Sequence, residues 1–202
     1  MAYQSLKLLP PGAKPFGDSF EEWIIRWWTW LLSIPKSENP SKDIRDLNVH
    51  FGQKDPRVIF LCQSFDNLVV TSQRKIHIRY GSSIFMPIIN WISIQGEDGE
   101  TTEKMLLIAK KKMDVIGDLV VKFNGMTING LEKYRFASRP FEIELIPDNI
   151  LEISPCKTQF ISDGYWIFTE PIFSHLELST FGTCSMGITR IGISYSIDIQ
   201  EG

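Results

Sequence analysis

A run of tryptophans near the start of the chain, in FEEWIIRWWTWLLSIP from Phe20 to Pro35, limits how the protein can fold. It holds four of the six tryptophans in a sequence of 202 residues. Ser19 and Glu22 have the spacing of a helix capping box, and Pro35 ends a helix that begins there. On a helical projection the polar side chains form one narrow stripe: Glu22, Arg26, Thr29 and Ser33. The wide apolar remainder has to be buried on most sides, so we predict a core helix over residues 19–34 that packs on a sheet.

Two other placements of this helix stay open. A helix on a membrane surface needs a broad polar face rich in Lys and Arg, and this one carries only Arg26. The helix can also form an interface or the wall of a pocket, because an indole N–H needs a hydrogen-bond partner. On that view one of four side chains reaches a groove: Trp23, Trp27, Trp28 or Trp30.

Most of the remaining chain has the pattern of β-strands. Apolar and polar residues alternate in RIGISYSIDIQ at 190–200 and in KIHIRY at 75–80, and Asn124-Gly125 predicts a hairpin turn. A second helix is predicted over residues 102–115, where Thr101 or Thr102 is the cap. We therefore predict a mainly β fold, a single-domain β-sandwich of the jelly-roll kind. The domain spans residues 1–202, with an N-terminal extension at 1–17 and a polar connection at 36–56 that is either a lid or a loop.

Composition narrows the classes of partner. The net charge is −3 and no long basic stripe is present, which argues against nucleic-acid binding. No segment has the roughly 18 consecutive apolar residues of a transmembrane helix. The N-terminus has no apolar run of signal-peptide length, so the sequence as it stands predicts a cytoplasmic protein, or a secreted one if processing has removed a signal. Three cysteines without CxxC spacing predict free thiols in a reducing compartment.

Several motifs occur in a characteristic order. They are WWTWLLSIPKSENP, FGQKDPRVIFL, GSSIFMPIIN, a long segment from GDLVVKF to PDNIL, and ISDGYWIFTEPI. Together they resemble an uncharacterised, mostly bacterial and often exported protein family with a WWxW…SIP…NP opening and an ADGYW-like C-terminal segment. The resemblance covers residues 16–200 and implies a mainly β single domain. It implies no mechanism, because that family has no established activity, and Ser82 stands where the family has a lysine.

Histidine and cysteine supply the candidates for catalysis. His50, His77 and His175 do not have the spacing of a metal motif, but residues distant in sequence can meet in a β-sandwich to form a metal site. The alternative is three separate imidazoles. Cys184 lies in the glycine-flanked GTCSMG, and His175 lies nine residues upstream across a possible hairpin, so a thiol dyad of the two is one candidate while the catalytic residues stay unknown. The alternative is a turn cysteine without special reactivity.

The sharpest local motif is Asp163-Gly164-Tyr165-Trp166. Asp-Gly predicts a turn that leads into a strand carrying the two aromatic residues. We interpret Tyr165 and Trp166 as an aromatic platform for a flat ligand, with Asp163 at its rim and Asn90 and Trp91 as further ligand-binding residues. In the alternative interpretation the motif is a turn followed by core aromatics.

These observations support three hypotheses about function. The first is a non-catalytic binding or interaction module for a small molecule, a glycan or a protein partner, with no cofactor. The second is an enzyme that uses either a histidine metal site or the Cys184 thiol. The third is a structural subunit that self-assembles as a homo-oligomer through a Trp-rich surface.

Overall fold

The structure, a computed structural model, describes residues 6–42, 49–64, 69–184 and 189–200, with the side chains of 69–72 and 189 excepted. The helices and strands in these residues follow in chain order. They are α1 (Phe20–Leu32), β1 (Val58–Phe60), β2 (Val69–Arg79), β3 (Ser83–Ile94), α2 (Thr102–Met113), β4 (Ile116–Phe123), β5 (Met126–Thr127), β6 (Arg135–Ala137), β7 (Phe141–Glu144), β8 (Lys157–Phe168), β9 (Leu176–Cys184) and β10 (Thr189–Gln200).

The strands form two sheets that pack as a sandwich. Sheet 1 has the order β1-β3-β8-β6, with β7 also paired to β8, and sheet 2 has the order β2-β10-β9-β4-β5. The predicted mainly β sandwich with two helices is confirmed. Both sheets are mixed, because β1 pairs with β3 and β2 pairs with β10 in parallel. The alternation of apolar residues does not encode strand direction, so it does not predict these parallel pairs.

The Trp-rich helix α1 covers the outer face of sheet 1. Ser19 caps it: the Glu22 N–H donates to Ser19 Oγ (3.3 Å), and the Ser19 N–H donates to Glu22 Oε2 (2.8 Å). The four tryptophans are 6% exposed or less; Trp23 and Trp27 pack against aromatic residues of β3 and β8, and Trp30 packs against Phe60 of β1. The predicted core helix is confirmed, and it does not supply the Trp-rich surface that the self-assembly hypothesis requires.

Each indole N–H of α1 donates to a different segment of the chain. The acceptors are Pro15 O for Trp23 (3.1 Å), Leu61 O for Trp27 (2.9 Å), Ser162 Oγ for Trp28 (2.9 Å) and Phe51 O for Trp30 (2.9 Å). Buried donors need such partners, and these four fix the helix in one rotation and one position along its axis. The Trp30 bond also anchors one end of the polar connection predicted at 36–56, of which 43–48 lie outside the described residues.

The second core lies between the sheets, where residues of β3 and β8 that face away from α1 meet sheet 2. Ile84, Met86 and Ile167 belong to this core, whereas Phe85, Trp166 and Phe168 belong to the core under α1. The division follows the strand alternation, because successive side chains point to opposite faces.

The remaining predicted elements are also present. Asn124 and Gly125 have positive φ angles of 49° and 80° and join Phe123 to Met126, as a two-residue hairpin requires. Helix α2 begins after Thr101, whose Oγ1 accepts from the Lys104 N–H (3.3 Å), and it packs against β3 and β8. Among the described residues, no helix is long and apolar enough to cross a membrane.

One local prediction is wrong. Asp163 and Gly164 do not form a turn but lie inside β8, where Gly164 is paired with Asn90 of β3. A Cβ on Gly164 would lie 2.5 Å from Asn90 Cβ and 2.7 Å from Asn90 Cα. The glycine is there because the two strands approach too closely for any side chain, and its turn propensity is not used.

We therefore expect Gly164→Ala to destabilise the fold. The added methyl group would have to displace the backbone of β3, so the free energy of unfolding should fall by about 2–3 kcal/mol. Gly12→Ala is the matched control, because a Cβ added there would have nothing within 4 Å and the φ of Gly12 is not positive. Urea unfolding followed by circular dichroism measures both variants, and equal midpoints would contradict this account of Gly164.

Candidate functional site

A concave site lies between α1 and the outer edge of β3, and we call it the α1–β3 groove. Its volume is about 400 Å³. Trp27, Trp28 and Leu31 of α1 form one wall, and Asn90 and Ile92 of β3 lie opposite. Glu97 and Asp98, in the turn after β3, lie at its rim. The groove therefore combines an apolar, aromatic interior with a polar strand edge and acidic groups at one end.

The groove exists because β1 is much shorter than β3. Pairing between them covers only Ser83 to Phe85, and one further backbone bond follows it, from the Leu61 N–H to Phe85 O (3.2 Å). Beyond Phe85, no strand in the described part of the chain pairs with this edge.

Side chains occupy both ends of the open edge. At one end Gln63 Nε2 donates to Ile88 O and to Thr180 Oγ1 of sheet 2 (3.0 Å to the latter). At the other end Asp98 Oδ2 accepts from the Ile94 N–H, and the Asp98 N–H donates to Ile94 O, both at 2.9 Å. These contacts show that the backbone groups of Ile94 point away from β8.

The backbone groups of Asn90 and Ile92 also point away from β8. In an antiparallel pair, alternate residues direct their N–H and C=O groups to one neighbouring strand and the residues between them to the other. Asn90 and Ile92 are four and two residues before Ile94, beyond the bulge between Pro87 and Ile89. Their backbone groups therefore face the groove, and both residues are partly exposed.

Two buried side-chain donors of β3 residues that line the groove are also unused; a third β3 atom without a partner in the described structure, Ser93 Oγ, belongs to a residue outside the groove lining. Asn90 Nδ2 and Trp91 Nε1 are buried and have no hydrogen-bond partner within the residues that the structure describes. Both residues line the groove. A buried donor without a partner costs roughly 1–3 kcal/mol, so a ligand that supplies an acceptor to either atom gains affinity. Strand alternation directs the two side chains to opposite faces of β3, and Lys112 Nζ lies 4.4 Å from the centroid of the Trp91 ring.

The predicted ligand-binding residues separate into two groups. Asn90 and Trp91 line the groove, but the other three do not form an aromatic platform. Trp166 is 0% exposed, and its ring lies parallel to that of Phe85 (5.3 Å between centroids, 7° between planes). Tyr165 packs at the core between the sheets. The alternative interpretation of Tyr165 and Trp166 as core aromatics is the one that fits.

Asp163 does not border a ligand site either. It is 4% exposed and accepts two hydrogen bonds from Arg135, from Nη2 (2.7 Å) and Nε (3.1 Å). Arg135 Nη1 also donates to Asp114 at the end of α2 (2.7 Å). The hydrogen bonds from Arg135 to Asp163 raise the pKa of the guanidinium above its ordinary value, so the charge is permanent. The role of Asp163 is to connect sheet 1 to α2.

The candidate Cys184–His175 dyad is not formed. The two residues lie at opposite ends of β9, which at about 3.3 Å per residue places them roughly 30 Å apart. Cys184 is buried, and its Sγ faces Lys112 O at 3.8 Å. His175 instead contacts Asp198 Oδ1 (2.7 Å) and Glu177 Oε1 (2.8 Å). The strand between them holds the two members of the predicted dyad apart.

The three-histidine metal site that the sequence leaves open as a candidate is not formed among the described residues. His77 is paired with Asp198 across β2 and β10, and Asp198 contacts His175, so these side chains share the outer face of sheet 2. His50 lies close enough for the His77 charge to lower its pKa, after the larger lowering by burial. Even so, no three His, Cys, Asp or Glu side chains are arranged to hold a metal ion in the described ranges of the chain.

The histidines should differ in their titration. Hydrogen bonding to Asp198, and then to Glu177, raises the pKa of His175, whereas burial lowers the pKa of His50. A raised pKa stabilises the fold at pH values below the ordinary value near 6.5, and this contribution is lost as the pH rises through the raised value. His175→Gln should therefore lower the melting temperature more at pH 5.5 than at pH 8.5. Titration of the histidine Cε1–H signals by NMR tests the order directly, and a pKa of His175 below that of His50 would contradict it.

The three thiols should differ in reactivity. Cys156 is exposed, whereas Cys62 and Cys184 are buried. We expect one equivalent of iodoacetamide to modify Cys156 in the folded protein, and an excess to modify all three cysteines after denaturation, as peptide mapping by mass spectrometry can show. Preferential modification of Cys184 would restore the thiol hypothesis.

Most of the groove is not predictable from the sequence. The tryptophan pattern predicts a core helix, but it does not indicate which strand edge Trp27 and Trp28 overhang. Glu97 and Asp98 are in the turn-like GEDGE after an apolar run, which is a usable signal. The sequence carries no such signal for Gln63, because the role of Gln63 depends on where β1 ends.

Comparison with known proteins adds little. No protein-family model matches the chain, and no curated protein matches it. A solved structure described as "Structure of PbICP-C in complex with falcipain-2" is similar over 71% of this chain and 99% of that chain, at 7% identity and a TM-score of 0.28. A likeness at this level carries no argument about fold or function.

Proposed function

We propose that this protein is a non-catalytic binding module and that its ligand occupies the α1–β3 groove. One observation carries the proposal: two buried donors without partners in the described structure, Asn90 Nδ2 and Trp91 Nε1, belong to residues that line an aromatic pocket. Ligand sites in proteins combine apolar walls with a few polar groups that fix orientation, and this groove has that composition.

The chemistry of the groove indicates what it binds. The indoles of Trp27 and Trp28 favour an apolar or flat group, and the free Asn90 donor on the same face of β3 favours a carbonyl or hydroxyl oxygen next to it. The ionisable side chains among its described lining residues are Glu97 and Asp98 at the rim, and one oxygen of Asp98 already accepts from the Ile94 N–H. These groups are better suited to binding a ligand than to acid–base catalysis inside the groove. We also propose that the protein belongs to the family with the WWxW opening that its motifs resemble.

A fragment screen by NMR tests the proposal. With ¹⁵N-labelled protein and a library of N-acetylated aromatic amides and monosaccharides, a ligand in the groove should shift the Trp91 indole and Asn90 amide signals. The Trp23 indole signal should stay in place, because its N–H is bonded to Pro15 O outside the groove lining. If no fragment shifts the Trp91 and Asn90 signals, or if fragments shift them no more than the rest of the spectrum, the groove is not a ligand site.

A substitution separates binding from folding. Asn90→Ala should weaken the best fragment about fivefold, the value of one neutral hydrogen bond, and should not lower thermal stability, because it removes a buried donor that bonds nothing in the described structure. Asn129→Ala removes an exposed amide outside the groove lining and is the control. Equal affinities of the two variants would contradict the role assigned to Asn90.

A further inference from the structure

The open edge of β3 is a short, bounded template for another strand. Asn90 and Ile92 direct their backbone groups into the groove, while Gln63 and Asp98 occupy the positions on either side. An unpaired strand edge offers N–H and C=O groups at the spacing of a partner strand. The two residues are one strand repeat apart, about 6.6 Å, so they match alternate residues of an extended peptide.

The groove also has space for the side chains of such a peptide. Side chains of an added strand alternate between the two faces of sheet 1, and those on the α1 face would enter the volume of about 400 Å³ beside Trp27 and Trp28. This volume exceeds that of one aromatic side chain. Pairing with the backbone would therefore be combined with insertion of an apolar side chain on the helix side.

Charge favours one kind of peptide. Glu97 is exposed, and Glu97 and Asp98 stand together at the end of the open edge, beyond Ile94. A lysine or arginine at the corresponding end of the peptide would meet them, whereas an acidic residue would be repelled. The peptide that fits has alternating apolar residues and a basic residue at one end.

From these contacts we propose that the groove binds an extended segment of a partner protein, which adds a strand to sheet 1 at Asn90 and Ile92. The inference rests on the proposed function, because it requires the groove to be a ligand site. It goes further in naming the ligand as a peptide and the main chain as the principal contact. A small flat ligand uses the side-chain donors but has no use for two strand-spaced sets of backbone groups.

Selection and backbone chemistry test the proposal. A phage-displayed library of random heptapeptides is selected against the whole protein, and the strongest binder is synthesised in three forms: unmodified, and N-methylated at either set of alternate residues. N-methylation removes the donors on one edge of the peptide and keeps its side chains. We expect one methylated form to lose at least about tenfold in affinity and the other to stay within about twofold.

Hydrogen exchange gives a readout in the wild-type protein. The backbone amides of Asn90 and Ile92 should exchange rapidly in the free protein and at least about tenfold more slowly with the unmodified peptide bound. The amides of Trp91 and Ser93, which alternate with them and bond β8, should be slow in both states. Glu97→Gln should weaken a basic peptide about threefold, and Glu100→Gln, which removes a neighbouring exposed charge outside the groove lining, should not.

The other outcomes would overturn the proposal in distinguishable ways. Equal binding of both methylated forms would show recognition through side chains, without strand addition. Failure to select any peptide, while fragments still shift the Asn90 and Trp91 signals, would overturn the inference and leave the proposed function intact. Slow exchange at Asn90 and Ile92 that depends on protein concentration without peptide would show that the occupant is a second copy of this chain.

Discussion

The packing of the four tryptophans of α1 on sheet 1 is the interaction on which the rest of the structure depends. Trp27 meets Trp166 edge to face at 5.2 Å, and Trp166 stacks on Phe85, so helix, β8 and β3 share one aromatic core. Burial of large aromatic surfaces supplies most of the driving force, and the indole hydrogen bonds set its geometry. Without this helix, the outer face of sheet 1 would be an exposed apolar surface.

The same packing creates the candidate site. Because α1 is held over β3 by bonds to Leu61 and Ser162, its tryptophans overhang the part of β3 that β1 leaves unpaired. The groove thus results from a difference in length between two paired strands, covered by a helix in a fixed position. The bulge between Pro87 and Ile89 contributes as well, because it determines which residues of β3 direct their backbone groups outward.

The parts of this fold that depend on local pattern are predictable from the sequence. Helix α1, its Ser19–Glu22 cap and the Asn124-Gly125 hairpin are encoded within a few residues, so they can be recognised without tertiary information. The role of Gly164 cannot be recognised in this way, because a glycine can serve either a turn or a close approach of two strands. Only the position of Asn90 in the fold decides between these roles. Asn90 and Trp91 lie in the groove, while their role in binding stays a prediction. The distance between Cys184 and His175 depends on the length of β9, which periodicity alone does not fix.

The hydrogen bonds of α1 also have a consequence for the order of assembly during synthesis. Trp28 donates to Ser162, a residue 134 positions later in the chain, and Trp23 and Trp27 pack against aromatic residues of β8. The Trp-rich helix therefore leaves the ribosome long before the strand that covers it exists. At about 5–20 residues per second, that interval is on the order of ten seconds. Throughout it, the tryptophans of α1 have no β8 to pack against.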